Sequence, residues 1–302
     1  MKPQLKPLNE QVIVITGASS GIGLETALSA AKQGAKVVLA ARSKNALDEI
    51  VSQITANGGQ ALAVECDVAD RAAVDNLART AAAHFGRIDT WVNDAGISIY
   101  GRLDECTEED ARRLFDTNYF GLVNGSLAVL PYLKQNQNGG ALINVGSEVS
   151  DAVAPLLGHY SASKHAVKGF TDTLRLEIEE VDDLPIAITL IQPTAVDTPF
   201  PQHAKNMMED EPKLPNPMLD PQKVADAILK AAVTPTRAAR VGAMAVLNTI
   251  AYKVTPKLAD KMSAKREKDL HSHQPPRNPE GALHRPSESS GTAAQTHGTG
   301  PK

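Results

Sequence analysis

The chain has 302 residues, and its 31 Lys and Arg against 35 Asp and Glu leave a formal net charge of −4. That length accommodates one large α/β domain or two small ones with a substantial core, while the slight acidic excess creates no global field for nucleic acid or an anionic membrane. Two cysteines, Cys66 and Cys106, stand far apart without C-x-x-C spacing, which argues against a disulfide framework or a zinc site, predicts no bound metal and fits a reducing cytoplasm.

The opening MKPQLKPLNEQ carries no apolar segment of signal-peptide type, and no run reaches the length of a membrane span. Val12–Thr16 is a β-branched run that stops at glycine, and 25–32 is alanine-rich, so strand, turn and helix follow one another. The alternation continues with a strand at Lys36–Ala41, a helix at 46–56, a strand at 61–65 and a helix at Arg71–Phe85. Further on come a strand at 88–92, a helix at 108–133, a strand at 141–145, a helix at 161–180 and a strand at 186–191. Strands that are apolar on almost every residue are expected where both faces are covered. The pattern predicts an α/β fold, one doubly wound, Rossmann-type parallel sheet with helices on both sides.

Between 193 and 221 the alternation gives way to a proline-crowded stretch, which at a strand end predicts a lid over the ligand face. Helix returns at 222–232, and a last strand is expected at 239–242. From Met244 onward Leu247, Ile250, Val254 and Leu258 recur at helical spacing, beside a row of Lys253, Lys257, Lys261 and Lys265 that Pro256 interrupts. Such a basic amphipathic pattern can lie on a membrane surface or grip a partner. The plainer expectation is that its apolar side packs on the domain or on a second subunit. After Leu270 the composition turns to Pro, Gly, Ser, Thr and His, with too little apolar surface to offset chain entropy, which predicts a disordered tail. Its four histidines lack metal-ligand spacing. The resulting organisation is a cofactor-binding and catalytic domain at 8–242, a helical extension at 243–270 and a tail at 271–302.

Three glycines, Gly17, Gly21 and Gly23, read G-x-x-x-G-x-G between the first strand and the first helix. The free N–H groups at a helix start favour a pyrophosphate, and glycines keep side chains out of its way. Further along, Tyr160 and Lys164 stand four apart near a helix start and so share one face. A phenol titrating near pH 10 is a poor acid-base group at neutrality, and an adjacent ammonium lowers it. Ser147, at the end of the preceding strand, can return to the same point as a hydrogen-bond donor.

TGASSGIG at 16–23, Asp67, NDAG at 93–96, Asn118 in DTNYFG, Ser147 and YSASK at 160–164 together resemble the short-chain dehydrogenase/reductases, from about Leu8 to Pro235. The resemblance implies strand order 3-2-1-4-5-6-7 and hydride transfer between a nicotinamide dinucleotide and a carbonyl or hydroxyl group. Position by position, it implies Tyr160 as general acid in reduction and base in oxidation, with Ser147 orienting and polarising the carbonyl. Lys164 would bind the nicotinamide ribose and depress the tyrosine pKa, and Asn118 would hold a water that links Lys164 to solvent. Gly17, Ser19, Ser20, Gly21, Ile22 and Gly23 would take the pyrophosphate, and Asp67 and Val68 the adenine. Asn93, Ala95 and Gly96 would lie behind the cofactor. Pro193 and Val196 would join these contacts, and Thr198 would reach the carboxamide.

Two positions depart from that family's pattern, Asp94 where a second Asn is usual and Thr194 where Gly usually follows Pro193. Ala41 stands at the place of the acid that NAD-specific enzymes use, and Arg42 follows it, so NADP(H) is expected and NAD(H) is the second choice. Ile97, Ile99, Val149, Val153, Leu156, Leu157, Phe200, Met207 and Met208 are expected to wall an apolar substrate pocket. A homo-oligomer, dimer or tetramer, is a further implication of the resemblance. The other readings open at this point are a non-catalytic NADP(H)-binding sensor or scaffold and a peripheral membrane reductase.

Overall fold

A computed structural model describes residues 3–286 and 295–298. Strand β1 (Val12–Thr16), β-branched throughout and fully buried, pairs in parallel with β2 (Lys36–Ala41), which carries β3 (Gln60–Glu65) on its far side, and with β4 (Thr90–Asn93). The two-residue β5 (Ile99–Tyr100) leaves the sheet. The sheet continues through β6 (Gly140–Val145), β7 (Ile186–Pro193) and, after the two-residue β8 (Lys205–Asn206), β9 (Ala238–Val241). Its order, β3-β2-β1-β4-β6-β7-β9, is the expected 3-2-1-4-5-6-7 once the separate β5–β8 pair is left uncounted.

Parallel neighbours need long crossovers, and those from β1 to β7 run through α1 (Gly21–Lys32), α2 (Lys44–Ala56), α3 (Arg71–Phe85), α4 (Glu108–Phe115), α5 (Gly121–Gln135) and α6 (Gly158–Arg175). Alternation along each strand divides the core in two. Ile13, Ile15 and Leu39 pack with Leu24 of α1 and Leu47 of α2, whereas Val12, Val14 and Val38 pack with Leu77 of α3, Val129 of α5 and Leu174 of α6. Between α4 and α5 the rod passes through a π turn, Asp116–Phe120, in which the Gly121 N–H bonds the Asp116 carbonyl. That single wide turn carries Asn118.

The 193–221 stretch holds a short helix, α7 (Phe200–His203), and β8, then ends at Asp220, whose carboxylate caps α8 (Pro221–Val233) through the Gln222 N–H at 2.8 Å. Beyond β9, Pro256 starts a second helix: α9 (Ala243–Val254) and α10 (Pro256–Lys265) share Thr255 at their junction. Their apolar row is not packed on the domain, since Leu247, Ile250, Val254 and Leu258 are all exposed.

The tail also differs from expectation over 271–286 and 295–298. Instead of burying many apolar groups, 271–286 docks through polar bonds: His271 Nδ1 lies 2.8 Å from Asp210 Oδ1, Asn206 N donates to the Pro279 carbonyl and Ala282 N to the His203 carbonyl. Composition alone does not register such long-range bonds, nor the buried anchors Ala282 and Leu283. Residues 287–294 and 299–302 of the predicted tail lie outside the described residues. Among the described residues no cluster of three metal-ligating side chains occurs and no helix is long and apolar enough to cross a membrane.

Candidate active site

The glycine loop is shaped by what a side chain would strike. Gly17 is left-handed at φ +74°, and a Cβ there would lie 2.8 Å from the Ala95 backbone. Gly21, at φ +55°, sits under Thr198, whose Cβ would be 3.3 Å from an added methyl. At Gly23 the added atom would meet the Gly17 carbonyl at 2.5 Å, so this glycine lets α1 pack against the loop. Ser20 is the extended residue before α1 and makes no side-chain cap, so the first-turn amides find other partners, the Gly23 N–H bonding the Asp94 carboxyl. The Gly21 N–H donates to the Gln295 carbonyl at 2.8 Å, so a peptide oxygen from the C-terminal segment sits on it. Ser19, Ser20 and Ile22 line one cleft.

At the far end of this loop Arg42 follows β2, and its guanidinium donates to the carbonyls of Ala282 at 2.5 Å and Leu283 at 3.3 Å. Burial lowers its pKa, against the raising effect of Asp67. Asp67 accepts from Arg113 at 2.6 Å and from the Ala69 N–H at 3.0 Å, and Val68 lines the cleft beside it. Asn93, by contrast, turns into the sheet: its amide donates to Asn144 and Ser126 and accepts from the Trp91 indole at 2.8 Å. It ties β4 to β6 and does not line the cleft. Thr16 Oγ1 accepts from the Asp94 and Ala95 N–H groups and so fixes the turn that carries Ala95 and Gly96.

The other end of the cleft gathers Ser147, Tyr160 and Lys164. Ser147 caps the short turn after β6, its Oγ accepting from the Val149 N–H at 3.3 Å while the Ser150 hydroxyl accepts from the Ser147 N–H. Helix α6 begins three residues earlier than its sequence pattern suggests, so Tyr160 and Lys164 lie in its first two turns. Burial pushes the Tyr160 phenol above its ordinary range, and its hydrogen bond with Ser147 opposes this. Its ring meets Phe200 of α7 edge to face at 5.2 Å. Lys164 Nζ lies 5.7 Å from the Tyr160 ring centre and donates to the Val145 carbonyl at 2.9 Å. Burial lowers the ammonium to about 8, with Asp94 opposing. At neutral pH the phenol is therefore protonated and the lysine mostly charged. The dominant influence on the tyrosine is burial, not depression by the lysine.

Asn118 stands behind this group and its amide is fully engaged, accepting from Ile97 N at 2.8 Å and donating to the Ile97 carbonyl and Ser163 Oγ. An added Cβ at Gly96 would lie 3.6 Å from Asn118 Oδ1 and 3.8 Å from Lys164 Nζ, so the absent side chain leaves room between them. The two departures from the family pattern are structural neighbours of the site. Burial pushes the Asp94 carboxyl up to about 7, opposed by Lys164 and by a bond from the Gly23 N–H. Thr194 hydrogen-bonds Glu148, whose carboxyl is also raised by burial.

The cleft encloses about 280 Å³ and runs from the glycine loop to Tyr160, past Pro193, Val196 and Thr198. Of the expected apolar wall it uses Ile97, Val149, Leu157 and Phe200, and adds Ala154, Leu214 and Leu270. Val153 is exposed, and Ile99 packs elsewhere with Leu114 and Leu283. Glu148, Thr117 and His203 also line the cleft and were not singled out by sequence. Glu148 could have been found from its place directly after Ser147. His203, held neutral by burial that lowers it to about 4, carries no local signal.

A short chain dehydrogenase family model matches residues 11–209. An uncharacterized oxidoreductase, YxnA of Bacillus subtilis, is 41% identical over 279 residues, 92% of this chain and 78% of that protein. A fatty acyl-CoA reductase of Acinetobacter baylyi is 36% identical over 250 residues, 82% of this chain and 80% of its own length. Among solved structures, a short chain dehydrogenase/reductase from Burkholderia phymatum in complex with NAD superposes with a TM-score of 0.75 at 25% identity, covering 84% of this chain and 96% of that one. An alcohol dehydrogenase from Thermococcus sibiricus complexed with 5-hydroxy-NADP gives a TM-score of 0.66 at 27% identity over 76% of this chain and 94% of that one.

Proposed function

The chain belongs to the short-chain dehydrogenase family and is an oxidoreductase of CH–OH and C=O groups; within that family we propose that it uses NADP(H) and reduces an apolar carbonyl with Tyr160 as general acid. The observation that carries this is the Tyr160 phenol, protonated at neutrality and hydrogen-bonded with Ser147, at one end of a cleft whose other end is the glycine loop and Arg42.

The residues suit a dinucleotide. Gly17, Gly21 and Gly23 clear the start of α1, whose first amide already holds an oxygen acceptor, as a pyrophosphate requires. Arg42, unopposed by an acid at Ala41, suits a 2′-phosphate. When bound, the reduced nicotinamide supplies a hydride. The protein's part is acid-base work and orientation. Ser147 Oγ–H donates to the carbonyl oxygen and fixes it beside Tyr160. As that oxygen gains negative charge the phenol O–H breaks and its proton passes to the oxygen, giving the alcohol and a tyrosinate. The Lys164 ammonium stabilises that tyrosinate, and Asn118 holds α4–α5 against Ile97 behind it.

An apolar substrate is favoured by Val149, Leu157, Phe200 and Leu214 along the cleft, and the name of the Acinetobacter relative points the same way. The test is NADPH oxidation across aldehydes, ketones and quinones of increasing chain length. Turnover that rises with apolar length and vanishes in Tyr160→Phe supports the reading; no turnover with any carbonyl overturns it.

A further inference from the structure

Surface helices ordinarily turn their large apolar side chains inward. Helices α9 and α10 do the reverse. They attach through polar bonds: Asn248 to Glu148 at 2.9 Å, Arg240 to Thr249 at 3.3 Å, and Tyr252 and Ser263 both to the Val153 carbonyl at 3.0 Å. The residues buried on them are small, Ala245, Thr249 and Ala259. Facing outward are Leu247 at 55%, Ile250 at 54%, Val254 at 73% and Leu258 at 55% exposure, with Val246 and Met262 also exposed. An apolar row of this extent marks a contact surface.

We propose that α9 and α10 dock the protein on an anionic lipid surface. Lys253, Lys257 and Lys261 each precede a member of the apolar row, Val254, Leu258 and Met262, so the ammonium groups run along its edge, where long side chains reach headgroups while the row enters the acyl boundary. With Lys265 they stand against one acid, Asp260, in 243–265, although the whole chain carries −4. That local sign fits anionic headgroups, whereas a two-fold contact between copies would bring two lysine rows together. Neither helix is long enough to cross a bilayer, so the pair lies in the interface plane. The opposite, attached side of the pair adjoins the loop that follows Ser147, through Glu148 and Val153.

The test is flotation of the full chain with vesicles of phosphatidylcholine, with and without phosphatidylglycerol, alongside light scattering for oligomeric state. The native chain is expected to float only with the anionic vesicles and to be released by high salt. Ile250→Ser with Leu258→Ser, and separately Lys253→Glu with Lys257→Glu, should each abolish flotation with an unchanged melting temperature, since these side chains are exposed. Equal flotation of native and variant chains, no flotation of the native chain, or loss of a native oligomer in the Ser variant overturns the proposal.

A different observation carries a second inference, which rests on the dinucleotide reading above. The two donors assigned to phosphate groups are both capped by C-terminal carbonyls, the Gly21 N–H by Gln295 and the Arg42 guanidinium by Ala282 and Leu283. The geometry points to the C-terminal segment as a strap that competes with the cofactor's phosphates, Gln295 having to leave the loop amide before a pyrophosphate oxygen takes it. A chain ending at Pro286 keeps the docked Leu283 and loses Gln295. It is expected to bind NADPH several-fold more tightly, by nucleotide fluorescence, and NADPH should make the C-terminus of the full chain more sensitive to protease. Equal dissociation constants with unchanged proteolysis overturn the strap alone. Binding of neither NADPH nor NADH by either chain overturns the dinucleotide reading and the strap with it.

Discussion

Asp94 and Lys164 share the back of the cleft, each holding the other towards its charged form against burial that pushes the carboxyl up to about 7 and the ammonium down to about 8. Loss of the carboxylate in Asp94→Asn leaves burial unopposed, so the ammonium gives up its proton at lower pH. Because the charged lysine is the form that stabilises a tyrosinate, the reductive rate of the native enzyme should fall as pH rises through about 8. In the variant the fall should begin earlier. Profiles of kcat/KM against pH for the two proteins check this, and superimposable alkaline limbs would count against the coupling.

Arg42→Asp places an acid next to Ala41, the place at which NAD-specific enzymes hold the ribose hydroxyl, and removes the donor for a 2′-phosphate. A charge-assisted bond is worth about 1.5–3 kcal/mol, so the ratio of kcat/KM for NADPH over NADH should drop by about tenfold or more. An unchanged ratio would assign Arg42 to the C-terminal carbonyls of Ala282 and Leu283 alone.

Gly23→Ala pushes a methyl to 2.5 Å from the Gly17 carbonyl. Overpacking of this kind costs about 1–3 kcal/mol, and the loop can relieve it only by moving. A lower melting temperature and weaker dinucleotide binding are expected together. Gly169→Ala on α6, with nothing within 4 Å of the added atom, should hold or raise stability by up to about 1 kcal/mol.

Deleting everything after Leu270 exposes the pocket of Leu283, fully buried, and removes the 2.8 Å bond from His284 to Asp110. Burial of one leucine side chain is worth about 2 kcal/mol, and each kcal/mol moves Tm by roughly 2–4 °C in a chain of this size. A drop of several degrees is expected by calorimetry; an unchanged Tm would mean that 271–286 is not docked in solution.

Much of the sheet and both ends of the cleft were legible in sequence, because they rest on local signals. The β-branched run Val12–Thr16, the glycines after it and the four-residue step from Tyr160 to Lys164 each declare their geometry within one or two turns of chain. What was not legible depends on distant partners. Asn118 sits in a π turn closed by Gly121, which lies against Val68, where a Cβ would come within 2.5 Å. Tyr160 is pushed up because burial outweighs its bond with Ser147. Asn93 lies in the NDAG motif, yet its amide bonds Asn144 and Ser126, 51 and 33 residues away. The tail looked disordered by composition, but 271–286 docks through pairings such as Ala282 with His203, which no apolar count records. The outward apolar row of α9 and α10 has the periodicity of a packed helix, and only its polar attachment to Glu148 and Val153 shows which side faces out.

The central claim is that the Tyr160 hydroxyl delivers the proton. The direct measurement is Tyr160→Phe, assayed for NADPH binding and for carbonyl reduction on the same preparation. General acid catalysis is worth about 10²- to 10⁴-fold, so turnover should fall by that factor while the NADPH dissociation constant stays within about twofold, less than 0.5 kcal/mol. Turnover equal to the native enzyme's would contradict the account.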